Sequence, residues 1–453
     1  MSQIATSEIT TTSAEPRIVA FVCKWCTYAG ADLAGTSRMV YPPNVRTIML
    51  PCTGRIDVTF IIRAFLQGAD GVVVSGCHPG DCHYTAGNYR ARRRWTLFRD
   101  LLDTLGFDLR RFELAWISAA EGVKWVKTIQ EFTDRIRDLG PYTAMRQVAE
   151  NRTPDIAPLA DVLDVITSSR MVEIKPIDPL LVEAVAGALQ SGKVKAVLGW
   201  TKSPTLGKAR PVWISSAEAA KELVLPGESG NLVRLFKNPQ LKAITPLGIV
   251  ARETELLALN VLIQEARIDL KQLTIFAMGS DGRFVGEMNA EVASATLLGE
   301  MTKSLPSDRP VGFSDSLLQR LDELMAKSSE ERWKFWASQS AKCVKCYACR
   351  QACPACTCDQ CFSDKNQPQW FPTAADGPGN LAWHLLRGFH LAGRCVGCGA
   401  CQAACPAGIP LNLISAAMAR SALKHFGHRA GVDANAMPLQ SDYKPDDQES
   451  FIL

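Results

Sequence analysis

No run of apolar residues in the 453-residue chain is long enough to cross a bilayer. The longest, such as Ile18–Cys23 and Val72–Val74, are strand-sized, against about 18 residues for a membrane helix. The first sixteen residues carry two acids and no base, so they lack the basic and apolar regions of a secretory signal. A large excess of one charge is also missing. Lys and Arg number 50 against 46 Asp and Glu, a net +4, which leaves no electrostatic footprint for nucleic acid. Apolar content of 47% with 21% charge excludes a disordered or collagenous chain. No Ser/His/Asp constellation or carboxylate pair points to hydrolysis, and the middle of the chain has neither G-x-G-x-x-G nor a P-loop. Between residues 83 and 342 there is not one cysteine.

The sixteen cysteines therefore stand in two groups, five between Cys23 and Cys82 and eleven between Cys343 and Cys405. They are too few for a disulfide scaffold of this length and too clustered to be incidental. Thiols kept as metal ligands fit a reducing, cytoplasmic compartment, with no direct insertion into a membrane.

Length predicts two to four domains. After a disordered N-terminus (1–16), residues 17–140 alternate strand and helix signals. Arg17–Val22, Val45–Leu50, Gly71–Ser75 and Leu114–Ser118 read as buried parallel strands, with helices over Ile56–Leu66, Trp95–Leu105 and Val123–Ile136. A linker (141–160) leads to a second α/β block (161–310). Its strands are expected at Val194–Trp200, Val212–Ser215, Leu247–Val250 and Leu273–Ala277, and its helices near Pro179–Leu189 and Glu253–Glu265. Residues 311–428 read as mostly helical around cysteine loops, with flanking helices at Ser314–Lys327 and Leu411–Lys424. The tail, 429–453, reads as poorly ordered or partner-dependent. The fold class expected is α/β: two α/β domains with small parallel sheets, then a mainly helical, dicluster ferredoxin-like domain.

Cys343-x2-Cys346-x2-Cys349-x3-Cys353-Pro354 has the spacing of ferredoxins, and Cys395-x2-Cys398-x2-Cys401-x3-Cys405-Pro406 repeats it. Three thiolates on one tight loop reach three corners of a cubane, while the fourth serves the other cluster. One 4Fe–4S cluster is thus assigned to Cys343, Cys346, Cys349 and Cys405, the other to Cys395, Cys398, Cys401 and Cys353. Gly397 and Gly399 leave room for amides to approach the sulfurs. Zinc motifs use paired C-x2-C instead. Cys356, Cys358 and Cys361 could hold a third metal centre, or be spare. His384 and His390, on a helix before the second quartet, could assist but more simply serve the core.

Cys23, Cys52 and Cys77 end the first three expected strands, where the βα units of an open sheet converge on one crevice. Cys26 follows one turn after Cys23, and Cys82 closes the loop from Gly76. Five thiols suggest four ligands and a spare. A redox dithiol at Cys23-Lys-Trp-Cys26 is the rival reading.

The stretches FVCKWCTYAGADLAGTSRMVYPPNVRTIMLPCTGRID and GADGVVVSGCHPGDCHYTAGNYRARRR strongly resemble the delta subunit of methyl-viologen-reducing hydrogenase, over about residues 17–140. The resemblance implies one 2Fe–2S cluster, with Cys23, Cys26, Cys52, Cys77 and Cys82 as candidate ligands. It also implies electron transfer from a hydrogenase or formate dehydrogenase to a heterodisulfide reductase A-like flavoprotein in anaerobic metabolism. Arg90, Arg92, Arg93 and Arg94 offer a docking patch for an acidic partner, or simply a solvated helix face. CVKCYACRQACPACTCDQCF and GNLAWHLLRGFHLAGRCVGCGACQAACP resemble the beta-subunit family of deazaflavin-reducing hydrogenase and formate dehydrogenase, whose wider group includes flavin binders. Phe276–Gly279 stands where a cysteine-bearing turn would be expected in that family, so a flavin (FAD) site in the middle block rests on analogy alone.

The expected function is an electron-transfer subunit of a hetero-oligomeric oxidoreductase complex rather than a self-contained catalyst, the complex being a candidate for electron bifurcation. The alternative is a flavin-dependent oxidoreductase with its active site in the middle block. A third is a structural adaptor whose N-terminal thiols act as a dithiol sensor.

Overall fold

The computed structural model describes residues 15–150, 174–203, 209–227, 230–242, 244–268, 273–364 and 369–453. Residues 1–14 of the segment expected to be disordered and the second half of the expected linker, 151–160, lie outside these residues. Two compact units are formed, one from Met1–Ala91, Asp108–Asn151 and Glu449–Leu453, the other from Arg92–Phe107 and Arg152–Gln448. No helix among the described residues is long and apolar enough to cross a membrane.

The first unit is built on four strands, β1 (Ile18–Cys23), β2 (Val45–Leu50), β3 (Gly71–Gly76) and β4 (Phe112–Trp116), in the order β2-β1-β3-β4. All pairings are parallel, with Ile18 opposite both Val45 and Gly71, and Val72 opposite Phe112. The central strands are apolar on both faces because helices cover both. Trp125, Ile129, Phe132 and Ile136 of the Gly122–Leu139 helix are fully buried against β1 and β3, each contributing roughly 1.5–3 kcal/mol of burial. Gly71 permits this approach, since a Cβ there would lie 2.8 Å from the Phe132 ring. On leaving β1 the chain goes to one side for β2, then returns past β1 for β3. The switch point therefore lies between the C-terminal ends of β1 and β3, the usual ligand position in such sheets.

The second unit contains a five-stranded sheet of β5 (Ala196–Lys202), β6 (Ala209–Ile214), β7 (Leu247–Ala251), β8 (Leu273–Met278) and β9 (Phe284–Asn289). Its order is β9-β8-β7-β5-β6. Only the three central strands are mutually parallel; β6 and β9 are antiparallel edges. The three central strands form the small parallel sheet expected here, and the two antiparallel strands extend it at its edges. Strand β9 was not anticipated; it returns through a tight turn closed by the bond from Gly279 N–H to the Arg283 carbonyl.

The middle and C-terminal blocks share one core, because Val311, Val396 and Ala430 pack among the residues of this sheet. Helices Asp315–Met325 and Leu411–Phe426 lie where expected. An additional helix, Ser329–Ala341, starts at a capping box of Ser328 and Glu331.

The tail differs from the loose segment expected. Leu439 is buried, and Leu453 exchanges two backbone hydrogen bonds with Leu114 and Trp116, extending the edge of β4. The docking role considered for the arginines is likewise corrected at two positions. Arg92 donates to the carbonyls of Lys444 and Pro445, and Arg93 grips Asp447 at 2.6 and 3.2 Å, both side chains being almost wholly buried. Of the four, Arg90 alone is exposed.

Candidate metal centres

In the first unit, Cys23 is the last residue of β1 and Cys26 sits in the turn that follows. Cys52 follows β2, and its sulfur accepts from the Gly54 N–H at 3.4 Å. Cys77 follows β3 directly. The sulfurs of Cys23, Cys26 and Cys77 all lie within 4.8 Å of one another. Those of Cys52 and Cys82 are 3.7 Å apart, and Cys26, Cys52, Cys77 and Cys82 pack as one group. Parallel strands ending side by side achieve this, which local sequence cannot. The thiols leave no spare room: a Cβ on Gly87 would lie 2.3 Å from the Cys52 sulfur and 3.1 Å from that of Cys82. The buried Asn88 amide donates to the carbonyls of Cys77 and His78 and reaches the Cys77 sulfur at 3.8 Å, pinning the third loop.

Burial pushes Cys26 and Cys52 up to about 11. The Cys77 thiol donates to Cys23, drawing Cys23 down to about 6 and Cys77 well up. Clustered thiols of this kind lose their protons most readily to a cation that takes the protons' place. With Cys77 in their company, Cys23 and Cys26 form part of a larger set than the dithiol reading requires. At the rim, half-exposed Trp25 stacks on His83 at 4.0 Å and donates to the Tyr84 hydroxyl at 3.2 Å.

In the second unit, Cys343, Cys346, Cys349 and Cys405 line one cleft of about 320 Å³, together with Tyr347, Trp383 and His384. Cys353, Cys395, Cys398 and Cys401 line another of about 450 Å³, with Arg387, Leu391 and Arg394. Each cleft thus takes three thiols from one quartet and the fourth from the other. The first loop turns through left-handed backbone at Lys345 and Tyr347 (φ 49° and 56°). The second does so at Gly397 (φ 71°), where a Cβ would also lie 2.2 Å from the Gly312 carbonyl oxygen. Backbone N–H groups of Gly397 and Ala400 point at the sulfurs of Cys395 and Cys398. Burial raises Cys343 to about 11 and Cys395 to about 12.

Buried polar atoms with no partner among the described residues belong to side chains that line these clefts: both ring nitrogens of His384 and Nε of Arg387. Burial, then the charges of Arg387 and Lys345, hold His384 neutral, down to about 3. Thiol quartets, converging N–H groups and unpartnered donors suit a polynuclear, sulfur-rich group in each cleft.

The three remaining cysteines go to different neighbours. Cys356 packs beside Cys353 and Cys395, and its thiol donates to Cys353, holding that sulfur down at about 5. Cys361 packs with the group that includes Cys343 and Cys349, and Cys358 is exposed. His390 makes an edge contact with Phe362 at 4.9 Å. Arg387 was missed from the sequence. The available signal was a charged residue inside GNLAWHLLRGFH, a helix (Gly377–His390) buried along most of its length.

Comparison with known proteins bears on residues 18–140. The model of the family described as methyl-viologen-reducing hydrogenase, delta subunit, matches residues 18–140. The vhc iron-sulfur subunit of the F420-non-reducing hydrogenase of Methanococcus voltae is 53% identical over 129 residues, 28% of this chain and 90% of that protein. Its counterpart from Archaeoglobus profundus is 51% identical over 128 residues, 28% of this chain and 93% of that protein. The ferredoxin/F420H2-dependent CoB-CoM heterodisulfide reductase A subunit of Methanosarcina acetivorans is 44% identical over 126 residues, 28% of this chain but 16% of that larger protein. Relatives named as iron–sulfur subunits, with the sulfurs gathered at the switch point, support iron–sulfur clusters and an electron-transfer role. Through residues 18–140, the chain belongs to the family of the methyl-viologen-reducing hydrogenase delta subunit.

Proposed function

We propose that this chain is an iron–sulfur subunit that relays electrons between a hydrogenase or formate dehydrogenase type donor and a heterodisulfide reductase A-like flavoprotein, in a complex that could be electron-bifurcating. The observation that carries the reading is the crossed pairing of the two C-terminal quartets, each cleft drawing its fourth thiol from the other motif. Cys343, Cys346, Cys349 and Cys405 would hold one 4Fe–4S cluster, and Cys353, Cys395, Cys398 and Cys401 the other. Four of Cys23, Cys26, Cys52, Cys77 and Cys82 would hold a 2Fe–2S cluster. Such groups supply one-electron exchange, with potentials set by cluster type, hydrogen bonds to sulfur and burial.

The chain's own residues keep that exchange clean. The thiols bind; Gly397 and Ala400 N–H groups support two of the sulfurs; Trp383, Ile409 and Leu411 give the first cleft buried apolar walls. The similarity to part of a heterodisulfide reductase A protein supports that class of partner.

The test is anaerobic quantification of iron, sulfide and flavin in the purified chain, with electron paramagnetic resonance after reduction. About ten irons per chain without flavin, two plus four plus four, is the expected result. Stoichiometric flavin would instead favour a flavin-dependent oxidoreductase centred on the middle sheet, and iron near zero would refute the reading.

A further inference from the structure

The charges around the two C-terminal clefts are not balanced alike. Arg387 lines the cleft of Cys353, Cys395, Cys398 and Cys401, and its guanidinium reaches the sulfur of Cys401. It is almost wholly buried, donates to the Cys349 carbonyl at 3.3 Å, and leaves Nε unpartnered. The groups that favour its charge are the thiols Cys401, Cys353, Cys349 and Cys356. Half-buried Lys237, on the same side, donates to the Arg350 carbonyl at 3.1 Å and feels Cys353 and Cys356.

The other cations near these sulfurs are offset by acids. Arg394 is gripped by Glu265, Arg252 by Glu255 at 2.8 Å, and Arg350 by Asp364 at 2.6 Å. At the first cleft, the buried Lys345 stands close to the buried carboxylate of Asp376. Among the described residues, uncompensated positive charge is therefore concentrated on the second cleft.

We propose that Arg387 makes the site of Cys353, Cys395, Cys398 and Cys401 the more easily reduced of the two, so that an electron entering the quartets comes to rest there. The inference rests on the dicluster reading above. An added electron is a unit negative charge. A guanidinium a few ångströms away, buried and unable to lose its proton, stabilises that charge far more than the same pair would in water. The pull of that positive charge on the Cys401 sulfur acts in the same direction. One electron passes from the first site, which is oxidised, to the second, which is reduced; no bond forms or breaks, and Arg387 keeps its proton.

The test is a redox titration of the anaerobically purified full chain, followed by electron paramagnetic resonance, with iron analysis on every sample. The wild type should show two 4Fe–4S potentials. Cys398→Ser should lose the signal of higher potential and keep the lower; survival of the higher one overturns the proposal. Arg387→Met should lower the higher potential so that the reduced-to-oxidised ratio at fixed poise falls at least tenfold, 59 mV for one electron, and move the lower one less. Arg387→Lys should restore most of the loss. Equal shifts at both sites, or none, with iron intact, overturn it. Should Arg387→Met lose iron, the Cys398→Ser result decides alone. A wild type that lacks two 4Fe–4S centres would refute the dicluster reading itself, whereas two centres in the reverse order would refute only this inference.

Discussion

Replacing Gly87 by alanine tests whether Cys52 and Cys82 act together. A Cβ at this position would sit 2.3 Å from the Cys52 sulfur, where ordinary contact begins near 3.4 Å, an overlap of about 1.1 Å. Cys52 has one torsion with which to escape, and the Cys82 sulfur lies 3.7 Å away, so relief must separate the two sulfurs or push back the start of the Gly87–Thr104 helix. Overpacking of this kind costs roughly 1–3 kcal/mol. Alanine at a helical position returns up to about 1 kcal/mol, so the fold should survive with a net loss of roughly 0–3 kcal/mol. The metal site has no such margin, because ligand sulfurs must hold their mutual geometry. The expected outcome for the Gly87→Ala chain is loss of the N-terminal irons with the C-terminal signals retained and the chain still folded. Iron content per chain and the spectrum of the reduced protein read this directly. Wild-type iron with an unaltered N-terminal spectrum would refute the view that these two thiols belong to one site.

Other expectations follow from the packing. Asp447→Ala leaves Arg93 buried without its main partner, and should cost about 3 kcal/mol in denaturant unfolding of the full chain; partly exposed Asp442, 3.3 Å from Arg93, keeps the loss at the low end. Less than 1 kcal/mol would mean that the tail is not held by this pair. Gly187→Ala, in the Pro179–Gln190 helix with none of the described residues within 4 Å of its Cβ position, should stabilise by about 0.5–1 kcal/mol; destabilisation would contradict the open space found there. Glu121 is held down at about 2, first by the Ser118 N–H and, after an opposing effect of burial, by His78 at 2.7 Å. Its folded value lies below the unfolded one, so its contribution is complete above about pH 4.5 and is lost as pH falls toward 2. Glu121→Gln should therefore flatten the loss of stability of the iron-free chain across that window, and an unchanged slope would exclude the pair as its source.

Much of this was legible in the sequence because it depended on local order. β-Branched runs such as Gly71–Ser75 announce strands, since buried parallel strands need apolar side chains on both faces. The C-x2-C-x2-C-x3-C-P spacing specifies three thiols on one loop and a fourth facing elsewhere. The tail misled because Lys444, Asp446 and Asp447 look solvated by composition. Arg92 and Arg93 misled in the same way, as a charged run reads as an exposed face. Burial of Arg93 against Asp447 is a pairing across some 350 residues, and no local pattern carries it.

The sequence by itself determined the strands of the first sheet, the cysteine loops at their ends and the two quartets, because each follows from neighbouring residues. Only the tertiary structure decided which sulfurs meet, since strands in the order β2-β1-β3-β4 bring Cys23, Cys26 and Cys77 to one point and leave Cys52 beside Cys82. It also decided that Arg387 stands beside the second quartet while acids offset Arg252, Arg350 and Arg394. Those relations depend on distance through space, to which position along the chain is almost blind.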